Sequence, residues 1–174
     1  MFKTILMMLT LWVGKPHDGQ PGSGPTTVIF VNCAEEQNGQ LTSVGRDQAA
    51  SLIRFLENES VNAVYSPYKP CLMQTVEPLA KSRGQQVTYF RDACFDDEEV
   101  MDHILWVMVE KNQGKTIVVC AGPGSIEKMS KMLGIRKKSL KPNTGVFGEV
   151  LIVNILYKGE AVAQKLNMNF QKKV

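Results

Sequence analysis

The sequence predicts an α/β fold, a three-layer sandwich with a mainly parallel sheet and helices on both faces. Three observations carry that expectation. After residue 25, short β-branched runs alternate with segments of helical periodicity, the pattern of repeated βα units. Two of those runs, Thr27–Val31 and Lys115–Cys120, are apolar at both parities, as in strands covered on both faces. The length of 174 residues suits one domain with a single hydrophobic core.

Each element follows in order. Lys3 precedes the apolar run Ile5–Val13, and Gly14 opens a polar stretch. That order reads as a signal peptide over 1–14, too short to span a bilayer. No Ala-x-Ala precedes Lys15, so the competing reading is an apolar strand or helix packed on the domain. A functional signal implies export to a periplasmic or extracellular space; otherwise the chain is cytoplasmic. In neither case is a membrane span expected in the mature chain. Residues 15–25, rich in Gly and Pro, form a linker that carries His17. The domain proper is expected over 26–170, with a frayed tail at 171–174.

Within the domain, strand Thr27–Val31 is followed by a helix from Val44 to Glu57, with Ala49, Leu52, Ile53 and Leu56 at helical spacing. A strand at Asn62–Ser66 leads to a helix from Leu72 to Arg83, which Gly84 stops. A strand at Gln86–Phe90 comes next. Asp96-Asp97-Glu98-Glu99 then opens a helix running to Asn112, since negative charge favours a helix N-terminus. Lys115–Cys120 is a buried strand, Ala121-Gly122-Pro123-Gly124-Ser125 a turn, and a helix reaches Leu133. Glu149–Leu156 and an edge strand Ala161–Met168 close the chain through a hairpin at Tyr157-Lys158-Gly159-Glu160.

Composition is ordinary for a globular protein, which excludes disordered and collagen-like chains. The net charge of +3 is too small and dispersed to point to nucleic acid. The one basic cluster, Arg136, Lys137, Lys138 and Lys141, follows a helix C-terminus, where cations are favourable without a ligand.

The stretch Thr27-Val28-Ile29-Phe30-Val31-Asn32-Cys33-Ala34-Glu35, followed by Leu41-Thr42-Ser43-Val44-Gly45-Arg46-Asp47-Gln48-Ala49, resembles the histidine phosphatase (phosphoglycerate-mutase-like) superfamily. Its first strand ends in Arg-His-Gly or Arg-His-Ala-Glu, and Leu-Thr-x-x-Gly-x-x-Gln-Ala is its helix entry. Ser66, then Gln74-Thr75-Val76-Glu77-Pro78-Leu79-Ala80, is similar to its Ser-x-x-x-Arg-x-x-Gln-Thr-Ala-x-Pro-Leu-Ala. Lys115–Gly122 looks like the strand that ends in Gly-His-Ser, and Phe147–Val153 resembles the closing strand of its small phosphohistidine-phosphatase-like members. The resemblance implies a phosphoglycerate-mutase-like fold, with a histidine nucleophile, a second histidine and two phosphate-binding arginines. Here Asn32 stands at the first arginine, Cys33 at the nucleophile, Ala121 at the second histidine, and Pro70 or Cys71 at the second arginine.

Phosphoryl transfer relies on positioned cations around the equatorial oxygens, and all four positions have lost those side chains. Loss of a hydrolase nucleophile alone costs on the order of 10⁶ in rate. The two histidines offer no replacement: His17 lies in the linker and His103 inside a helix. Cys33, Cys71 and Cys120 are expected to converge on the vestigial pocket with Asn32, Ala121 and Gly122. A cysteine phosphatase requires an arginine six residues after its thiolate; Gly39, Glu77, Val100 and Ile126 occupy those places after Cys33, Cys71, Cys94 and Cys120.

Three alternatives remain for these thiols: inert pocket filler, a disulfide within the pocket, or zinc held by three cysteines, although no Cys-x-x-Cys pair exists. The backbone of Gly122, Gly124 and Ser125 forms a candidate anion-binding loop, a weak signal without a basic residue. Glu35, Glu36, Asp92, Asp96 and Asp97 are candidates to make the pocket acidic. The expectation is a domain with no catalytic residue, no metal and no cofactor, with a structural role or one of binding an unknown small molecule or protein, and no nucleic acid. Competing readings are an altered hydrolase using Cys33 with Glu35 or Asp92, and a redox-responsive pocket pairing Cys33 with Cys71 or Cys120.

Overall fold

The computed structural model describes residues 24–91, 96–136 and 147–168. The expected signal, most of the linker, the tail, Asp92 and Cys94 lie outside them. Strand β1, Thr26–Val31, leads into a small hairpin of β2 (Glu36–Gln37) and β3 (Gln40–Leu41), then helix α1 (Ser43–Phe55). Strand β4 (Val61–Pro67), helix α2 (Pro70–Ser82), strand β5 (Val87–Phe90) and helix α3 (Glu98–Lys111) follow. Strand β6 (Thr116–Cys120), helix α4 (Pro123–Met132) and the strands β7 (Glu149–Tyr157) and β8 (Glu160–Asn167) complete the described chain.

The six long strands form one sheet in the order β5-β4-β6-β1-β7-β8. The first four run parallel, β7 is antiparallel to β1, and β8 is antiparallel to β7. The expected architecture is therefore present. The β1 run is apolar at both parities because each face meets a helical layer. Val28 and Phe30 pack with Met101, Leu105, Ile126 and Met129 of α3 and α4, whereas Ile29 and Val31 pack with Ala49, Leu52, Val76 and Leu79 of α1 and α2.

Element limits moved by a few residues for identifiable reasons. Helix α1 begins at Ser43 because the Thr42 hydroxyl accepts the Gly45 N–H at 3.0 Å. Helix α2 begins at Pro70, whose fixed φ suits a first helical position. Helix α3 starts where expected, and Asp97 caps it by accepting the N–H groups of Glu99 and Val100 at 2.9 and 3.2 Å. The β2–β3 hairpin was not anticipated. Its signal is Asn38-Gly39, whose φ values of 53° and 78° suit a two-residue hairpin turn.

The connections fix where a site can lie. From β1 the chain crosses by α1 to β4, and from β6 it crosses by α4, on the opposite face, toward β7. Neighbouring parallel strands whose connections leave to opposite faces open a crevice beyond their carboxyl ends. That crevice lies above Val31 and Cys120, which are paired in the sheet. No helix among the described residues is long and apolar enough to cross a membrane.

Candidate functional site at the strand ends

The Ala121 N–H donates to the Val31 carbonyl at 3.1 Å, extending the β1–β6 ladder one residue past both strands. This fixes Asn32 and Ala121 side by side at the crevice, with Asn32 only 2% exposed and Ala121 fully buried. Cys33 is half-buried, and Cys71, in the first turn of α2, is buried. Of the two candidates for the second arginine's place, Cys71 faces the cluster and Pro70 faces solvent. Cys120 lies beneath them, also fully buried.

The three thiols are unbridged. Burial pushes the Cys33 thiol up to about 12, helped by the neighbouring Cys71 thiol, while the Thr75 hydroxyl opposes the shift. Burial also raises Cys120 well above its ordinary range, with Cys33 and Cys71 adding to it. The altered-hydrolase reading requires a thiol of lowered pKa. The shift runs the other way because a thiolate here has little solvent and an apolar surround. Among the described residues, no three His, Cys, Asp or Glu side chains are grouped so as to hold a metal ion.

Three of the acidic candidates are engaged with backbone or capping groups. Glu35 accepts the Thr42 hydroxyl at 2.8 Å, Glu36 accepts the Gly39 N–H at 2.6 Å, and Asp97 caps α3. Glu36 adds only a minor upward push on Cys33. Gly122 is the N-cap of α4 and Pro123 its first residue, so Gly124 and Ser125 sit in the first helical turn rather than in an open loop. His103 is exposed on α3, along a groove with Glu99, Asp102 and Trp106.

What the sequence motifs do best is hold the backbone around the crevice. The Ala34 N–H donates to Thr75 Oγ1 at 3.0 Å, and that hydroxyl donates to the Cys71 carbonyl at 2.7 Å. The Glu35 N–H donates to Gln48 Oε1 at 2.7 Å, and the Leu41 N–H to Gln74 Oε1 at 2.9 Å. Three loop amides are thus satisfied by side chains from two helices, which sets the path from Asn32 to Leu41 without any ligand. Thr75 was quoted as motif but not as a site residue; its signal is a fully buried polar side chain on the inner face of α2. Replacing it with valine keeps the shape but strands the Ala34 N–H. Thr75→Val is expected to lower stability by about 1–3 kcal/mol, measured by urea denaturation with an unchanged m value.

No protein-family model and no curated protein sequence matches the chain. Solved structures do match, at low identity. The protein histidine phosphatase SixA complexed with tungstate superposes with a TM-score of 0.65 at 12% identity, covering 82% of this chain and 97% of that one. A putative α-ribazole-5'-P phosphatase from Escherichia coli gives 0.63 at 13% identity over 82% and 96% of the two chains. Phosphoserine phosphatase from Entamoeba histolytica, in complex with 3-phosphoglyceric acid, gives 0.61 at 16% over 82% and 96%. These proteins define a class, the histidine phosphatase superfamily, and this chain has its phosphoglycerate-mutase-like fold.

Proposed function

We propose that this chain is a non-catalytic domain of histidine-phosphatase fold, with a binding or structural role centred on the strand-end crevice. The observation that carries the reading is the identity and burial of four side chains. Asn32, Cys33, Cys71 and Ala121 occupy the places where the resemblance implies two arginines and two histidines, and Asn32, Cys71 and Ala121 are almost wholly buried. None of the four can neutralise a transferring phosphoryl group, and Cys33 is held in its neutral, weakly nucleophilic form. Residues 1–14 fit an export signal, which N-terminal mass analysis of the mature protein tests directly.

The decisive experiment is phosphomonoester hydrolysis across pH with reductant present, wild type against Cys33→Ala. No turnover above the uncatalysed rate is expected from either. Turnover that disappears only in the variant would establish a site rebuilt around a thiol and end the non-catalytic reading.

One observation favours a second reading, a redox-responsive pocket: the Cys33 thiol lies against that of Cys71. Pairing them joins the two sulfurs, releases two protons and passes two electrons to a peroxide, which is reduced to water. In that case mild peroxide lowers the number of thiols alkylated after denaturation from four to two, and reductant restores them.

A further inference from the structure

A groove of about 600 Å³ lies where strand β3 meets helices α1 and α2. None of Asn32, Cys33, Cys71 and Ala121 lines it, so it is separate from the crevice to which the proposed function refers. Its floor is apolar, made by the buried Leu41 and Ala49 and the half-buried Pro78, while the exposed Arg46, Glu77 and Lys81 stand around it. An apolar base with a few polar groups is the usual make-up of a ligand site.

The polar groups divide into those already engaged and those left over. Glu77 accepts the Tyr89 hydroxyl at 2.9 Å, and the Gln74 side chain accepts the Leu41 N–H and donates to Gln40. One guanidinium nitrogen of Arg46 donates to the Leu41 carbonyl at 2.9 Å, which fixes the group and leaves its other N–H donors for a ligand. The Lys81 ammonium has no hydrogen-bond or ion-pair partner among the described residues, and neither cation is paired there with a carboxylate. The backbone adds one acceptor. Pro78 stands inside α2 and has no N–H to return to the Gln74 carbonyl four residues earlier. Gln74 and Pro78 both line the groove, so that carbonyl belongs to its wall. Gln74, Glu77, Pro78 and Lys81 follow one another along one face of α2 for about 10 Å, the length of three extended residues.

We propose that this groove binds a short acidic peptide segment of a protein partner, extended along α2. Its carboxylates meet Arg46 and Lys81, an apolar side chain covers Leu41 and Ala49, and one of its N–H groups serves the Gln74 carbonyl. Two unpaired cations against one engaged carboxylate select an anion over a cation. The carbonyl beside them selects a peptide over a lipid carboxylate, which has no donor to offer.

The test uses the full chain and a fluorescein-labelled peptide, Glu-Leu-Glu-Leu-Glu, read by fluorescence anisotropy. The wild type is expected to bind it in the micromolar range, and more weakly as salt rises. Lys81→Glu breaks no side-chain bond of the structure and is expected to weaken binding about tenfold, with an unchanged circular dichroism spectrum. Arg46→Lys keeps the charge but loses the fork, and a loss of about threefold is expected. Glu77→Gln can keep the bond to Tyr89 and is expected to tighten binding about twofold. Lys-Leu-Lys-Leu-Lys is expected not to bind, and Glu-Ser-Glu-Ser-Glu to bind more weakly for want of an apolar contact. No binding of the acidic peptide at millimolar concentration overturns the proposal, as does an affinity indifferent to Lys81→Glu. Equal binding of the basic peptide overturns it too. So does binding of decanoate without the peptide, which assigns the groove to a lipid carboxylate.

Discussion

Gly45→Ala is expected to be the most damaging small substitution in the domain, lowering stability by about 3 kcal/mol or more. The reason is a backbone contact. A Cβ built at Gly45 lies 2.0 Å from the Glu35 carbonyl oxygen and 3.0 Å from its carbonyl carbon. A flexible side chain can yield to such an approach, but a carbonyl cannot move without its peptide plane. That plane also accepts the Thr42 N–H at 3.1 Å, and the Glu35 N–H is held by Gln48. Displacing it therefore loosens the α1 cap and the turn beyond Cys33 together. Helix propensity alone predicts the opposite, since alanine is the better helix former by about 1 kcal/mol. The sign of the effect in chemical denaturation thus separates the two accounts, and a stabilised Gly45→Ala protein would refute the packing one.

Cys33 is expected to react with iodoacetamide roughly a thousandfold more slowly than an exposed thiol near pH 8, because so little of it is thiolate. Its rate should climb about tenfold per pH unit and continue climbing toward pH 12, whereas an ordinary thiol levels off near its own pKa of about 9. The same shift couples to folding. A thiol that titrates higher in the folded chain than in the unfolded one favours the folded state at lower pH. That contribution is complete below about 9 and is lost as pH rises toward about 12. The Thr75 hydroxyl is the one partner that favours the thiolate, so Thr75→Val should slow alkylation further. Peptide mapping of the alkylated protein assigns the rate to Cys33. A plateau at ordinary pH would mean the thiol sees solvent freely.

The architecture was legible because each strand of the sheet's centre is covered on both faces, which writes an unbroken apolar run into the sequence. Thr27–Val31 and Lys115–Cys120 are such runs, and they became β1 and β6 with shifts of one residue. Caps were legible where a side chain accepts backbone N–H groups, as at Thr42 and Asp97. The β2–β3 hairpin was missed because each of its strands is two residues long, too short for any periodicity, although Asn38-Gly39 spelled out its turn.

At the crevice, sequence placed Cys33 and Cys120 by their strand ends. It left Pro70 and Cys71 unresolved, because a count between anchors cannot tell which side of a helix faces inward. In the structure Cys71 is buried and hydrogen-bonded to Cys33, whereas Pro70 is exposed. The acidic residues near the crevice were harder to place for a different reason. Charge is visible in a sequence, but the hydroxyl or amide that claims it, as Thr42 claims Glu35, depends on where the chain returns.

Thr42, Gln48, Gln74 and Thr75 all hydrogen-bond peptide groups near the crevice, and the bare Cα of Gly45 makes room for one. A bond to a peptide group does not depend on which side chain that peptide carries, so this set can hold the rim of the crevice unchanged while the residues on it vary.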